Sequence, residues 1–205
     1  EYVAWVYDRQ GEQTITVLAP RQGLRITNVT FSPTTLSAGK SSVVSITVNN
    51  DSDTPLDTQE PAPGFVYEEG DTFDNRGYAA LSGKYRVGLD FDGRVGMDHP
   101  YRWGFGSPLQ PDETRTITGV IHWRTPRTAN YWAGLVQEYV VWRQDRLGAP
   151  TITVKPGVQI TNVTFSPTTL AVGQLLDVSI TVRNDGSAPL DTQGPDPGFV
   201  YDEGQ

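Results

Sequence analysis

The feature that most constrains this chain is that it contains most of itself twice. ITNVTFSPTTL at 26–36 recurs letter for letter at 160–170, and the match runs on to Gly70 and Gly204 with 32 of 45 positions identical at a constant offset of 134. A second echo, at an offset of 137, links EYVAWVYDRQGEQTITV from Glu1 to EYVVWRQDRLGAPTITV from Glu138. A fold that accommodates both echoes is modular. Residues 1–20 read as the closing hairpin of one repeat, 24–154 as a complete unit, and 158–205 as the opening part of another. Tandem arrays of this kind build reach and surface rather than a single enclosed site.

A unit running from 24 to 154 is long enough to bury roughly two thirds of its unfolded surface without staples. There is no cysteine, which removes thiol chemistry, cysteine-ligated metal and disulfides together and leaves the redox compartment open. The net charge of −8, with only 16 scattered Lys and Arg, argues against a nucleic-acid partner. No apolar run approaches the roughly 18 residues of a membrane-spanning helix. Residue 1 is Glu and no leader motif is present, so the chain reads as processed, excised or a window on something longer.

Alternation at period two is frequent and is punctuated by Gly, Pro, Asn and Asp, which predicts an all-β architecture. In SVVSITVNN (42–50), Val44, Ile46 and Val48 face a core while Val43, Ser45 and Thr47 face out; the second copy keeps the inner set as Val178, Ile180 and Val182 and turns Val43 into Asp177. Further strands are expected near 25–31 with Val29 and Phe31 inward, at 84–91 with Tyr85, Val87, Leu89 and Phe91 inward against Arg86 and Asp90, and at 114–123 with Ile117, Ile121 and Trp123. A long strand at 131–143 and a shorter one at 150–154 form a hairpin across DRLG. Six or seven strands suit an immunoglobulin-like β-sandwich, with a barrel as the alternative. Neither end fragment contains a closed core, which fits a segment of a longer array or strand exchange between subunits of a filament.

The stretches SPTTLSAGKSSVVSITVNNDSDTPLDT and SPTTLAVGQLLDVSITVRNDGSAPLDT resemble the bacterial cell-adhesion-related immunoglobulin-like domains called CARDB. In that family a proline and a leucine precede a glycine turn and an alternating strand that closes in V-x-N-x-G. Pro167, Leu170, Gly173, Val182, Asn184 and Gly186 match, whereas the first copy has Ser52 at the final glycine. The resemblance covers about 30 residues of each copy. It implies domains standing in rows on secreted or surface-anchored proteins, serving adhesion, spacing or sheath formation.

Between Asp51 and Asp74 stand eight carboxylates and no Lys or Arg. Oxygen ligands at this density make Glu68, Glu69, Asp71 and Asp74, with Asp90 and Asp92 of the next strand, calcium candidates, although no EF-hand spacing is present and a solvated acidic loop has the same composition. The loop PLDTQEPAPGFVYEEG, repeated as PLDTQGPDPGFVYDEG, carries too many prolines to be a floppy linker; Phe65, Val66 and Tyr67 read as buried, and the loop as a cover for the sandwich or a contact for a neighbouring unit. Glu138 shares strand parity with Val140 and Trp142, which puts a carboxylate on the core side and nominates Arg102 as its ion-pair partner. Tyr101, Trp103, Trp123 and Trp132 could stack on sugar rings or fill the core. AGKS at 38–41 lacks the upstream glycine of a phosphate loop, and the second copy reads VGQL, so it is a turn. His99 and His122 have no accompanying ligand pattern, and no nucleophile motif occurs. Asn28, Asn50 and Asn162 begin glycosylation triplets.

Together these features predict a non-enzymatic structural repeat of an extracellular filament or cell-surface array. Its partners would be copies of itself or adjacent repeats; no cofactor is required, calcium being the one candidate. The alternative is a carbohydrate- or surface-ligand-binding module of a larger adhesin or secreted enzyme.

Overall fold

A computed structural model describes residues 23–186 and 188–202, so the hairpin expected over 1–20 lies outside the described residues. Within them every regular element is a strand: β1 (Gly23–Ser32), β2 (Thr35–Ser37), β3 (Ser41–Asp51), β4 (Val66–Glu68), β5 (Tyr85–Phe91), β6 (Tyr101–Trp103), β7 (Thr114–His122), β8 (Arg127–Gln137), β9 (Val141–Leu147), β10 (Thr151–Lys155), β11 (Val158–Ser166) and β12 (Asp177–Asn184). The all-β expectation holds. One sheet has the order β1-β3-β7-β4; a second has β2-β10-β8-β5-β6 with β9 also on β8; β11 and β12 form a separate pair. The first two sheets share one apolar core, to which Ile46, Ile117 and Ile121 come from the first and Val87, Leu89 and Tyr131 from the second.

The strand faces follow from side-chain parity wherever one face is dry. In β3, Val44, Ile46 and Val48 are buried and Val43 is exposed, as the alternation dictates. In β1 the parity changes partway: Leu24 and Ile26 are buried, yet Val29 and Phe31 also pack on the core. The register of β1 against β3 shifts between Ile26 and Asn28, and this bulge turns the second half of the strand over. The β11–β12 pair repeats that register at the same offset of 134, with Ile160 on Val182 and a shift between Ile160 and Asn162. Asn50 and Asn184 agree as well. Each donates its amide to the carbonyl four residues on, Thr54 at 2.9 Å and Ala188 at 2.8 Å.

Three expectations are corrected. The strand expected over 131–143 ends at Gln137; Glu138, Tyr139 and Val140 make a turn with Tyr139 at φ 57°, and β9 returns antiparallel along β8. Apolar alternation continues through this turn without Gly, Pro or Asn, so the sequence carries no turn signal there. Consequently β10 pairs with the first half of β8 and β9 with the second half. On β5, Arg86 and Asp90 were expected to face solvent and are instead buried, because the loops around Phe73 and His99, together with Trp142, cover that side. The triplet in the proline-rich loop also divides: Tyr67 is buried, Phe65 is half-buried and Val66 is exposed, since β4 pairs with the edge of β7 and alternates.

Candidate functional site

The covered outer face of β5 and β8 carries most of the buried charge. Its floor is a cross-strand glycine pair, Gly88 on β5 opposite Gly134 on β8. A Cβ on Gly88 would stand 2.9 Å from the His99 Cβ, and one on Gly134 would stand 2.6 Å from His99 Nε2 and 3.0 Å from Trp142 Cζ3. Glycine at both places lets the imidazole approach the sheet. The Trp142 ring of β9 stacks on His99 with centroids 4.0 Å apart. His99 Nε2 lies 3.0 Å from Asp145 Oδ1, while Nδ1 faces Asp90 Oδ2 at 3.8 Å.

Beside this stack, Glu138 sits at the start of the β8–β9 turn with both carboxylate oxygens engaged. Arg86 Nε donates to Oε1 at 2.6 Å and Arg102 Nη1 donates to Oε2 at 2.6 Å. Arg102 is the partner expected from sequence. Arg86 is a second one that parity had placed in solvent. Two guanidiniums against one carboxylate leave positive charge over, and neutral acceptors absorb it: Arg86 Nη1 reaches the Tyr78 carbonyl at 3.0 Å, Arg102 Nη2 reaches the Asp98 carbonyl at 2.9 Å, and both guanidiniums lie over the Phe73 ring at 4.3 and 4.1 Å. Burial pulls the Arg86 guanidinium below its ordinary proton affinity, against the opposing charge of Glu138. Burial likewise lowers His99, against the pull of Asp90 and Asp145. This arrangement fastens the β8–β9 turn to β5 and β6 by charge, beneath a surface depression of about 510 Å³ whose wall includes Met97, Tyr139 and Trp142.

The calcium candidates do not converge. Glu68 pairs with His122 at 3.0 Å and Arg124 at 2.9 Å. Glu69 accepts from the Thr125 hydroxyl at 2.6 Å and from the Arg124 and Thr125 amides at 2.7 Å. Burial would raise the Glu69 carboxyl, but these bonds and Arg127 hold it below its ordinary value. Asp71 accepts from the Glu68 amide, Asp90 pairs with Arg94, Asp92 accepts from Asn130, and Asp74 is exposed. Among the described residues no group of three His, Cys, Asp or Glu could hold a metal. The acidic loop looked unpaired because its basic partners lie outside it: Arg76 meets Asp71 and Lys84 meets Asp57 just beyond the loop, while His122, Arg124 and Arg127, at the end of β7 and after it, meet Glu68 and Glu69 from more than fifty positions away.

The candidate sugar-stacking rings are in the interior. Tyr101, Trp103 and Trp123 belong to the shared core; the Trp103 and Trp123 indoles donate to the Phe65 carbonyl at 2.9 Å and the Ser42 hydroxyl at 3.1 Å, and burial pushes Tyr101 up to about 12. Trp132 lies on the other face of β8 beneath the Arg146 guanidinium, 5.0 Å from the ring centroid. None of the four offers a face to solvent. Of the glycosylation candidates, Asn28 and Asn162 are exposed, whereas Asn50 is buried with its amide committed to the Thr54 and Leu109 carbonyls.

The larger unpartnered surface belongs to β11 and β12. Val178, Ile180 and Val182 are 49%, 53% and 56% exposed, while their counterparts Val44, Ile46 and Val48 are 1%, 0% and 0% exposed. Ile160 and Phe165 extend the same bare face. In the first copy, β7 lies on the free edge of β3 and the second sheet covers its face. Among the described residues β12 pairs with β11 alone.

No family model and no curated protein matches this chain. Among solved structures it is similar to an alkylpurine DNA glycosylase of Pseudomonas fluorescens bound to DNA containing an abasic site analog (15% identity, 64% of this chain and 30% of that one, TM-score 0.34). It is also similar to a β-glucosidase of Listeria innocua in complex with glucose (14%, 64% and 16%, TM-score 0.33) and to a β-glucosidase of Erythrobacter marinus (11%, 64% and 15%, TM-score 0.35). The chain spans less than a third of the length of each.

Proposed function

We propose that this chain is a non-enzymatic structural repeat of an extracellular filament or cell-surface array, built from immunoglobulin-like sandwiches of which 24–154 is one complete unit. The observation that carries the reading is the apolar set that is buried in the first copy and bare in the second. A row of Val178, Ile180 and Val182 left in water is unfavourable at roughly 1.5–3 kcal/mol per side chain relative to burial, so a cover is expected outside the described residues. The junction is short: only Pro156 and Gly157 separate β10 from β11, and the Gly157 carbonyl accepts from the Asp185 and Gly186 amides at 2.6 and 3.0 Å, which ties the linker to the end of β12. The CARDB resemblance points the same way, toward domains in rows at the cell surface.

The glycan-binding alternative draws no support from Tyr101, Trp103, Trp123 or Trp132, whose rings are covered. Light scattering and electron microscopy of the purified chain over a concentration series test the array reading. Concentration-dependent multimers or filaments are expected. Isolated monomers at every concentration, or saturable glycan binding without assembly, would count against it.

A further inference from the structure

Resting on the array reading, we infer that the edge of β12 away from β11, unpaired among the described residues, is an acceptor for an extended strand of the β7 type, added antiparallel in the register that β7 holds on β3. The first copy displays the complement. There, Val44 faces Gly119 and Ile46 faces Ile117 along nine paired positions. Carried over by 134, the register puts Gly119 of a donor opposite Val178 and Ile117 opposite Ile180. Both acceptor side chains are retained or unchanged in type, and so is the outward partner: the Thr47 hydroxyl bonds to that of Thr116 at 2.9 Å, and Thr181 occupies the equivalent place. Main-chain hydrogen bonds along the edge give such an addition its affinity, and the alternating side chains give it register.

The donor is therefore an extended peptide with Ile at positions 117 and 121 of the β7 pattern, Gly at 119, and Thr, Val or His at the even positions. A strand slipped by one residue turns both isoleucines to solvent and loses the apolar face. This distinguishes register-specific strand addition from sticking of any apolar peptide to a bare surface.

The test uses the full 205-residue chain and a fluorescent peptide of residues 112–124 (DETRTITGVIHWR). The control has the same composition, with Ile117 exchanged with Thr118 and Ile121 with His122. The expected result is saturable one-to-one binding of the first peptide, at least ~10-fold tighter than the control, with amide exchange over Asp177–Asn184 slowed at least ~10-fold. Ile180→Lys, in a chain whose main thermal transition is unchanged, abolishes the binding. Equal binding of both peptides, protection outside β12, no binding, or self-pairing through β11–β12 that the peptide does not displace would each overturn the inference. Filaments without peptide binding sink this inference and leave the array standing; peptide binding to a chain that never assembles does the reverse.

Discussion

Replacing Glu138 by Gln keeps the shape of the side chain and removes the one negative charge held between Arg86 and Arg102. Both oxygens are bonded at 2.6 Å, and Glu138 and Arg86 are essentially inaccessible to water. Taking one member from a buried ion pair leaves the remaining charge without compensation and costs about 3–5 kcal/mol. Here two guanidiniums are left 4.3 and 4.1 Å from the same Phe73 ring, which adds repulsion between them. For a unit of this size, 1 kcal/mol corresponds to roughly 3–4 °C, so Glu138→Gln is expected to lower the melting midpoint by about 10–20 °C. The comparison is Asp57→Asn, which removes the exposed Lys84–Asp57 pair at 2.8 Å and is expected to cost no more than about 1 kcal/mol. Trp103 and Trp123 report the unfolding by fluorescence. Added salt should weaken the difference made by Asp57→Asn and leave that of Glu138→Gln unchanged. A shift for Glu138→Gln under about 3 °C, or one matching Asp57→Asn, would refute the assignment of the β8–β9 turn to a charge clamp.

The pH dependence has a definite sign. His99 binds protons less readily folded than unfolded, so stability is full above the unfolded value of about 6.5 and declines as pH falls through it; His99→Gln should flatten that slope in urea-unfolding midpoints between about pH 7 and 5. Glu69, held low by the bonds from Thr125 and Arg124, contributes stability that is full above its ordinary value and lost as pH falls below about 4.5; Glu69→Gln should lower stability at neutral pH and flatten the slope below about 4.5. Gly134→Ala places a methyl 2.6 Å from His99 Nε2 and should cost about 1–3 kcal/mol, with a change in tryptophan fluorescence as Trp142 is displaced. Asn50→Ala strips the Leu109 and Thr54 carbonyls of a buried donor and should cost about 1–3 kcal/mol in calorimetry, whereas Asn184→Ala, at the exposed equivalent, should leave the main transition unmoved.

How much of this was legible depended on whether a local rule governed the residue. The faces of β3 could be read because alternation and the second copy agree on Val44, Ile46 and Val48. The bulge in β1 could not, since nothing in I-T-N marks an extra residue; only the pairing with β3 exposes it. Glu138 was assigned its partner Arg102 through a parity argument that assumed one continuous strand. Its burial comes instead from a turn, and Arg86 was missed because the cover over the outer face of β5 is supplied by loops distant in sequence. The Gly88–Gly134 floor under His99 was open to notice as two glycines inside strand patterns, which signal close approach. The aromatic residues carried no such signal: Trp and Tyr serve a core and a sugar platform equally well, and only the packing of the two sheets decided for the core.

The proposed array requires the apolar face of β11 and β12 to be covered in the working state. Hydrogen exchange over Val158–Ser166 and Asp177–Asn184, compared between assembled material and dilute chain, tests it most directly. Strong protection that appears only on assembly is the expected result. Amides in β12 that exchange at the same rapid rate in both samples, with Val44–Val48 of β3 fully protected, would contradict it.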